Sequence, residues 1–285
     1  MGTNTILDKQ MDKPTSVSPF DDVFRTETVR MKEWFIPLLN EIYGTKYVLN
    51  SEVVFYENEQ LQLAAAHSDD LESAGIPRKI TDRTFSVNGD LYHMECQANE
   101  DGSIVFRVAE YDSHIAVRLA EYDSKKDVLS VHLPYSSIVY LRRTEKTQPS
   151  QIVYHYGKQQ LRIEIPAISA QMYSLDDIFE KQLYVLIPFY FLRYESYFKH
   201  GIGLQNPQIQ RDMEQLNARL LEMHISEKLS DHNLRDLIEM TQIVLKQITR
   251  KLPQQERERL VKGMGGQVLE MEWEKEWKIR TERAI

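Results

Sequence analysis

The chain contains a single cysteine, Cys96, among its 285 residues. One cysteine can form neither an intrachain disulfide nor a cysteine-based zinc cluster, so both stabilising devices are excluded. The segment Met1 to Val17 is polar and has no apolar core, which is not the pattern of a secretory signal. The longest apolar run, near Leu183–Leu192, contains Pro188 and is much too short to span a bilayer. We therefore expect a cytoplasmic protein with no membrane partner.

Positive charge is also in short supply, because 35 Lys and Arg stand against 43 Asp and Glu, for a net charge of −8. This balance argues against a protein that holds nucleic acid by bulk attraction. It does not exclude an enzyme whose metal ligands are acidic, since those ligands contribute negative charge themselves. Any contact with nucleic acid would have to be made by a local basic patch.

The apolar and charged fractions, 42% and 27%, are those of a folded globular protein, and the length allows one large domain or two ordinary ones. A helix is predicted to end at Gly44, and a later one to begin at Ser174 with Asp177 three residues on, the pattern of a capping box. The partial alternation of Val128–Leu133 favours a central strand. Further strands are predicted at Val53–Tyr56, Ser137–Leu141, Ile152–Tyr156 and Leu161–Ile165.

The most informative segment is Lys79–Gln97, because it contains Asn88-Gly89, the strongest short hairpin signal. If Asn88 and Gly89 form a two-residue loop, Val87 pairs with Asp90. Each further step back along the first strand matches one step forward along the second, so Asp82 pairs with Glu95. Directly opposed residues of a hairpin share a face, with Cβ atoms roughly 4.5–5.5 Å apart. Two carboxylates this close repel each other unless a cation lies between them. The pair therefore suggests a metal site.

The same register extends the site along both strands. Side chains alternate along a strand, so His93, Glu95 and Gln97 are predicted to share one face, opposite Asp82 and Thr84 on the partner strand. These ligands are mostly oxygen, which suits Mg²⁺ or Mn²⁺ better than zinc. The alternative is a solvated polar hairpin face with an ordinary cross-strand carboxylate pair, because exposed strand faces are commonly polar. Spacing alone leaves both readings open.

Ile104–Asp123 has helical periodicity, and one helix face carries four residues at i, i+4, i+7 and i+11: Arg107, Tyr111, His114 and Arg118. That face is either turned toward a catalytic pocket or a phosphate backbone, or it is a solvated face with Tyr111 half buried. Leu183–Phe198 is predicted to be a strongly apolar helix that is kinked or begins near Pro188.

A loop is predicted at Gly201–Pro207, and from about Ile209 to residue 285 only helices are predicted, with apolar positions repeating at helical spacing. The last piece, Val268–Arg283, alternates Glu with Lys and Arg and carries Trp273 and Trp277 four residues apart. This pattern suits an amphipathic helix that packs on the domain or on a second copy, so homo-oligomerisation stays open.

The order helix, strand, strand with Asp, strand with Glu-x-Gln, helix resembles the core of the PD-(D/E)XK nucleases. Within that superfamily the chain is similar to the recombination-promoting nuclease and putative transposase group, over roughly Pro19 to Phe198. Single motifs are weak, but their joint occurrence in this order is specific. The matching segments are Phe20–Arg25, Ile80–Asp82, Tyr92–Gln97, Arg107–Asp112, Leu175–Lys181 and Leu186–Tyr190.

The resemblance implies an α/β fold in which a mixed central sheet is flanked by helices, a restriction-endonuclease-like core at residues 19–200, followed by a helical C-terminal extension at 201–285. It also implies cleavage of DNA with Mg²⁺ or Mn²⁺. Carried over, Asp82 and Glu95 would be metal ligands, with the backbone carbonyl of Cys96 as a further ligand and Asp21 as an auxiliary acidic residue. Gln97 stands where the wider superfamily has lysine, a substitution common in this group.

Glutamine can orient a water molecule by hydrogen bonds but supplies no positive charge. Charge stabilisation would then fall to the metal and to Arg107 or His93, and Arg107, Tyr111 and His93 are the predicted substrate-binding residues. The leading hypothesis is a metal-dependent DNA endonuclease linked to recombination or transposition. The alternatives are a catalytically weak or inactive nuclease-fold protein that binds nucleic acid or assembles with partners, and a metal-dependent hydrolase acting on something other than DNA.

Overall fold

A mixed five-stranded sheet forms the centre of the protein, as predicted. The computed structural model describes residues 20, 23–24, 26, 34–56, 83–98, 102–145 and 148–266. The strands are β1 (Val53–Tyr56), β2 (Arg83–Val87), β3 (Asp90–Gln97), β4 (Glu121–Asp123), β5 (Val128–Ser130), β6 (Tyr135–Tyr140), β7 (Ser150–Tyr156), β8 (Gln159–Ile165) and β9 (Ala167–Ser169). The helices are α1 (Phe35–Tyr43), α2 (Ile104–Arg118), α3 (Leu175–Glu180), α4 (Glu195–Lys199), α5 (Pro207–Ile225), α6 (Asp231–Ile248) and α7 (Gln254–Gly263).

The strand order in the central sheet is β1-β2-β3-β6-β9. The first three strands form an antiparallel meander, whereas β6 and β9 run parallel to β3. Two parallel neighbours need a crossover connection, and α2 lies in the one between β3 and β6. The meander and the crossover together make the sheet mixed.

The hairpin between β2 and β3 has the predicted register. Asn88 and Gly89 form its loop with φ of 50° and 93°, the positive values that such a two-residue turn needs. Val87 pairs with Asp90 across the loop, and Thr84 pairs with His93. This register fixes which side chains of β3 point to each face of the sheet.

One face of the sheet is apolar and packs on the main core. Phe85, Tyr92, Met94 and Cys96 are buried there in one cluster, which also contains the apolar side chains of α1. Helix α1 ends at Gly44, whose φ of 66° is the left-handed conformation that closes many helices. Cys96 is therefore a buried, small apolar residue of the core.

The opposite face of the sheet is covered by α2. A second, smaller apolar cluster joins Ile104 and Val108 of the helix to Ile138 and Tyr140 of β6. Because Ile138 pairs with Glu95 and Tyr140 with Gln97, the polar residues of β3 lie on this same face.

Two separate two-stranded ribbons extend the fold. The β4–β5 ribbon follows α2, and the longer β7–β8 ribbon lies between β6 and β9. The base of the second ribbon contributes Ile152, Ile163 and Ile165 to the apolar cluster beneath α2.

The C-terminal helices continue the main core. Buried residues on both sides of residue 200 belong to one cluster. Asp212 of α5 is buried and accepts hydrogen bonds from the hydroxyls of Tyr190 and Tyr194, at 2.7 and 2.5 Å. Helices α5, α6 and α7 confirm that the described part beyond residue 201 is helical. The boundary at 200 stays a prediction, and the tail helix at Val268–Arg283 lies outside the described residues.

Several elements match the predictions closely, among them β1 and the capping box at Ser174 and Asp177. Others differ. The helix predicted over Ile104–Asp123 ends at Arg118, because Tyr122 pairs with Leu129 to begin the β4–β5 ribbon.

The interpretation of Val128–Leu133 as a central strand was wrong, since only Val128–Ser130 is a strand and it lies in the exposed ribbon. The predicted helix at Leu183–Phe198 is 3-10 helical over Tyr184–Tyr194 and becomes α-helical only in α4. Pro188 lies within the 3-10 segment and lacks the N–H that an α-helical bond would use there.

Within the described residues, no helix combines the length and the apolar character needed to cross a membrane.

The hairpin turn makes a stability prediction. Gly89→Ala should lower the free energy of unfolding by about 1–2 kcal/mol, because its φ is 93° and a side chain there is strained although nothing lies within 4 Å. Gly266→Ala is the matched control, since Gly266 has no positive φ and no atom of the described residues lies within 4 Å of a Cβ added there. Urea unfolding of both variants is the measurement, and equal midpoints would show that the turn carries no such constraint.

Candidate functional site

Three polar side chains of β3 are buried beneath α2. His93, Glu95 and Gln97 alternate onto the same face of the strand, as predicted, and their exposed fractions are 0%, 1% and 7%. This burial excludes the solvated hairpin face considered above for these three residues. Buried polar and charged groups are costly unless they are hydrogen-bonded or paired, so their partners define the site.

A chain of hydrogen bonds joins β6, α2 and β3. The hydroxyl of Ser136 donates to Oδ1 of Asp112 at 2.6 Å, and Nδ1 of His93 lies 2.7 Å from the same oxygen. The other imidazole nitrogen, Nε2, lies 3.1 Å from Oε1 of Glu95. His93 thus bridges two buried carboxylates.

Arg107 lies at the other end of this series of hydrogen bonds, beside Glu95 and Gln97. Its Nη2 donates to Oε2 of Glu95 at 2.6 Å and to Oε1 of Gln97 at 3.1 Å. The side chain of Arg107 is 29% exposed, whereas that of Glu95 is 1% exposed. Arg107 is therefore the member of the cluster that faces solvent.

The cluster holds His93 as an imidazolium. Burial alone would lower the pKa of His93, but hydrogen bonds to Asp112 and Glu95 outweigh it and raise the pKa to about 9. Burial would likewise raise the pKa of Glu95, but His93 and Arg107 bring it below its usual range. Two carboxylates and two cations then balance one another without any further ion.

Tyr111 lies behind His93 rather than in an open pocket. Its ring meets the imidazole edge-on, with ring centroids 5.9 Å apart, and the residue is buried. His114, one turn further along α2, is exposed. Of the helix face predicted to turn toward a pocket or a phosphate backbone, Arg107 contacts Glu95 and Gln97, Tyr111 packs on His93, and His114 is exposed. The substrate-binding roles of Arg107, Tyr111 and His93 stay predictions.

Asp112 and Ser136 belong to the cluster, although neither was a predicted site residue. Asp112 lies four residues after Val108 and three before Ile115, both buried, so it interrupts the apolar stripe of α2. An acidic residue at such a position must be buried and needs a partner, and this signal could have found it. Nothing in the sequence identifies Ser136, because its role depends on the pairing of β6 with β3.

Asp82 and Asp21 lie outside the described residues, so the predicted opposition of Asp82 and Glu95 stays a prediction. Arg83, the residue after Asp82, pairs with Met94, the residue before Glu95, in the predicted register. Thr84 Oγ1 is buried on the same face and has no hydrogen-bond partner among the described residues.

The Cys96 carbonyl was the third predicted metal ligand. The carbonyl of Gln97 accepts from the N–H of Leu141, on the β6 side of the strand. Because successive carbonyls of a strand point to opposite sides, the Cys96 carbonyl is directed toward the β2 side, beyond the Arg83–Met94 pair. Among the described residues, no three His, Cys, Asp or Glu side chains are arranged to hold a metal ion.

Comparison of the chain with protein-family models, curated proteins and solved structures found no match.

The charge cluster predicts a pH dependence of stability. The folded pKa of His93, about 9, lies above the unfolded value of 6.5, so its contribution is fully present below pH 6.5 and is lost as pH rises through 9. The loss should be on the order of 3 kcal/mol. Asp112→Asn removes one of the two carboxylates that raise the pKa of His93. The variant should therefore lose less of its free energy of unfolding between pH 6.5 and 9.

Urea unfolding between pH 6 and about 9.5 measures the effect. Glu121→Gln neutralises an exposed acid just beyond α2 and is the matched control. Its stability should depend on pH as that of the unaltered protein does. Identical pH profiles for Asp112→Asn and the control would contradict the role of Asp112.

Proposed function

We propose that this protein is a metal-dependent DNA endonuclease linked to recombination or transposition. The observation that carries the proposal is the position of Arg107, whose guanidinium joins Glu95 and Gln97 at the solvent-facing end of the buried cluster. Glu95 and Gln97 are the Glu-x-Gln pair of the nuclease resemblance. The order of α1, β1, β2, β3 and α2 is the order on which that resemblance rests.

Arg107 supplies what Gln97 lacks. A glutamine in the lysine position cannot contribute positive charge, but Gln97 accepts a hydrogen bond from a guanidinium that also contacts Glu95. Guanidinium groups match the geometry of phosphate oxygens. Arg107 is therefore suited to bind the scissile phosphate and to stabilise the negative charge that develops on it.

The donor set fits a hard divalent cation in chemical type. Glu95 offers about four lone-pair directions, of which His93 and Arg107 use two, so its oxygens keep acceptor capacity. Asp82, Glu95 and the Cys96 carbonyl would hold Mg²⁺ or Mn²⁺ as oxygen ligands, with Asp21 as an auxiliary acid. Such an ion would polarise the phosphate and lower the pKa of a bound water. Gln97 would orient water by its amide.

Cleavage of supercoiled plasmid tests the proposal. The purified protein should nick DNA only with Mg²⁺ or Mn²⁺, and Asp82→Ala and Glu95→Gln should each reduce nicking to the background rate. The isosteric Gln is used at Glu95 because truncation would leave the buried His93 and the half-buried Arg107 without their shared partner. Glu222→Gln, an exposed acid on α5, is the control that should cut normally. Nicking that survives both site variants would refute the assignment.

A second candidate function is favoured by the charge balance of the cluster. Glu95 is already neutralised by His93 and Arg107, and this arrangement is stable without a cation. In this second candidate the protein would be an inactive nuclease scaffold that binds nucleic acid or assembles with partners.

Titration calorimetry with Mn²⁺ separates the two functions. The endonuclease should bind Mn²⁺, and Asp82→Ala and Glu95→Gln should each weaken that binding by at least about tenfold, the effect of losing about 1.4 kcal/mol of ligand contact. Glu222→Gln should bind as the unaltered protein does. The inactive scaffold predicts no heat that depends on Asp82 or Glu95, together with DNA binding that needs no metal.

A further inference from the structure

The β7–β8 ribbon presents a polar surface that the site chemistry does not use. Its seven residue pairs run from Ser150–Ile165 at the base to Tyr156–Gln159 at the tip, a length of about 20 Å. The tip residues are exposed, and Tyr156 reaches 85% exposure. A two-stranded ribbon of this kind is of a size that the major groove of DNA admits.

The two faces of the ribbon differ in character. Ile152 and Ile163 pair with each other and face the apolar cluster that includes Ile104 and Val108 of α2, so this face anchors the ribbon. The other face carries exposed hydrogen-bonding side chains, with Lys158 in the loop at the tip. These outward residues are Gln151, His155, Gln160, Arg162 and Glu164.

The anchor places the ribbon beside the candidate active site. Ile104 and Val108, which pack against the ribbon base, lie three residues before Arg107 and one residue after it in α2. The same helix therefore positions both the guanidinium at Glu95 and the base of the ribbon.

The β7–β8 ribbon carries a net positive charge, whereas the whole chain carries a net negative one. The ribbon itself, residues 150–165, contains Lys158 and Arg162 against Glu164, a net charge of +1 in a protein whose net charge is −8. The β4–β5 ribbon has no such excess, since residues 121–130 contain three acidic and two basic residues. The ribbon is thus a short segment of net positive charge with two exposed cations, the kind of local surface that an acidic nucleic-acid-binding protein requires.

We propose that the β7–β8 ribbon is a DNA-binding arm that contacts double-stranded DNA next to the cleavage site. The inference rests on the proposed function and deepens it by naming the surface that holds the substrate. Lys158 and Arg162 contact phosphates, while the glutamines on the outward face offer the amide groups that read base edges.

Equilibrium binding of a fluorescein-labelled DNA duplex, measured by anisotropy in EDTA, tests the arm without cleavage. Lys158→Gln/Arg162→Gln should weaken binding by about tenfold or more, because two charge-assisted contacts to phosphate are lost. The slope of log affinity against log salt should fall in magnitude by about 2, as expected for two lost phosphate contacts. Lys158→Gln alone should lower it by about 1.

Arg250→Gln/Lys251→Gln is the matched control, because it removes one Arg and one Lys that are exposed beyond α6. It should bind DNA like the unaltered protein. Circular dichroism verifies the fold of each variant, and sedimentation detects any change in oligomeric state. Three results would contradict the proposed arm: an unchanged salt slope in the ribbon variants, an equal loss of DNA affinity in the control, or failure of the unaltered protein to bind the duplex.

The two proposals fail separately. If the duplex is bound through the ribbon but no metal-dependent nicking occurs, the arm stands and the endonuclease proposal falls. If nicking depends on Asp82 and Glu95 while the ribbon variants bind DNA normally, the endonuclease proposal stands and the arm falls. A change of oligomeric state with unaltered DNA binding would assign the ribbon to contacts between copies and overturn the arm.

Discussion

The register of β2 against β3 is the constraint on which the rest of the site depends. Side chains alternate along a strand, so a shift of one residue would carry Glu95 into the apolar core and bring Met94 onto the α2 face. The Asn88–Gly89 turn prevents such a shift, because its backbone conformation suits a two-residue loop at only this position. Burial of Phe85 and Met94 on one side and of the charged cluster on the other reinforces the same register.

In that register Glu95 is buried, and its carboxylate needs the cationic partners that α2 positions: Arg107 directly, and His93 through Asp112. An ionised carboxylate removed from water is costly, and here the cost is offset by an imidazolium and a guanidinium. Asp112 stabilises the imidazolium, because the two neighbouring carboxylates raise the pKa of His93 well above its ordinary value. The cluster is self-consistent without a cation, and a metal that binds Glu95 must compete with two positive groups. The proposed phosphate contact of Arg107 has a matching consequence, because substrate would draw the guanidinium away from the carboxylate.

The outer parts of the fold are attached to this centre through α2 and β6. The crossover from β3 to β6 contains the helix that covers the charged cluster, and the crossover from β6 to β9 contains the long ribbon. The C-terminal helices pack on the opposite, apolar side through the main core. The polar site and the ribbon thus share one side of the sheet, and the helical part of the chain supports the other.

The sequence by itself determined the local features whose physics involves only neighbouring residues. A positive-φ turn, a capping box and strict alternation identified the hairpin, the start of α3 and the shared face of His93, Glu95 and Gln97 before any fold was known. The sequence also predicted a mixed α/β fold with a helical C-terminal part, through the order of its elements and the family resemblance.

Only the tertiary structure decided what those side chains do. It buried the face of β3, which spacing alone left open, and it brought Asp112 and Ser136 from elements 19 and more residues away to His93. It also ended α2 early, because Tyr122 has a cross-strand partner in Leu129 that helical periodicity does not reveal. Periodicity records which face of an element is apolar, but it carries no information about which other element covers that face, and the partners of a buried charge depend on that choice.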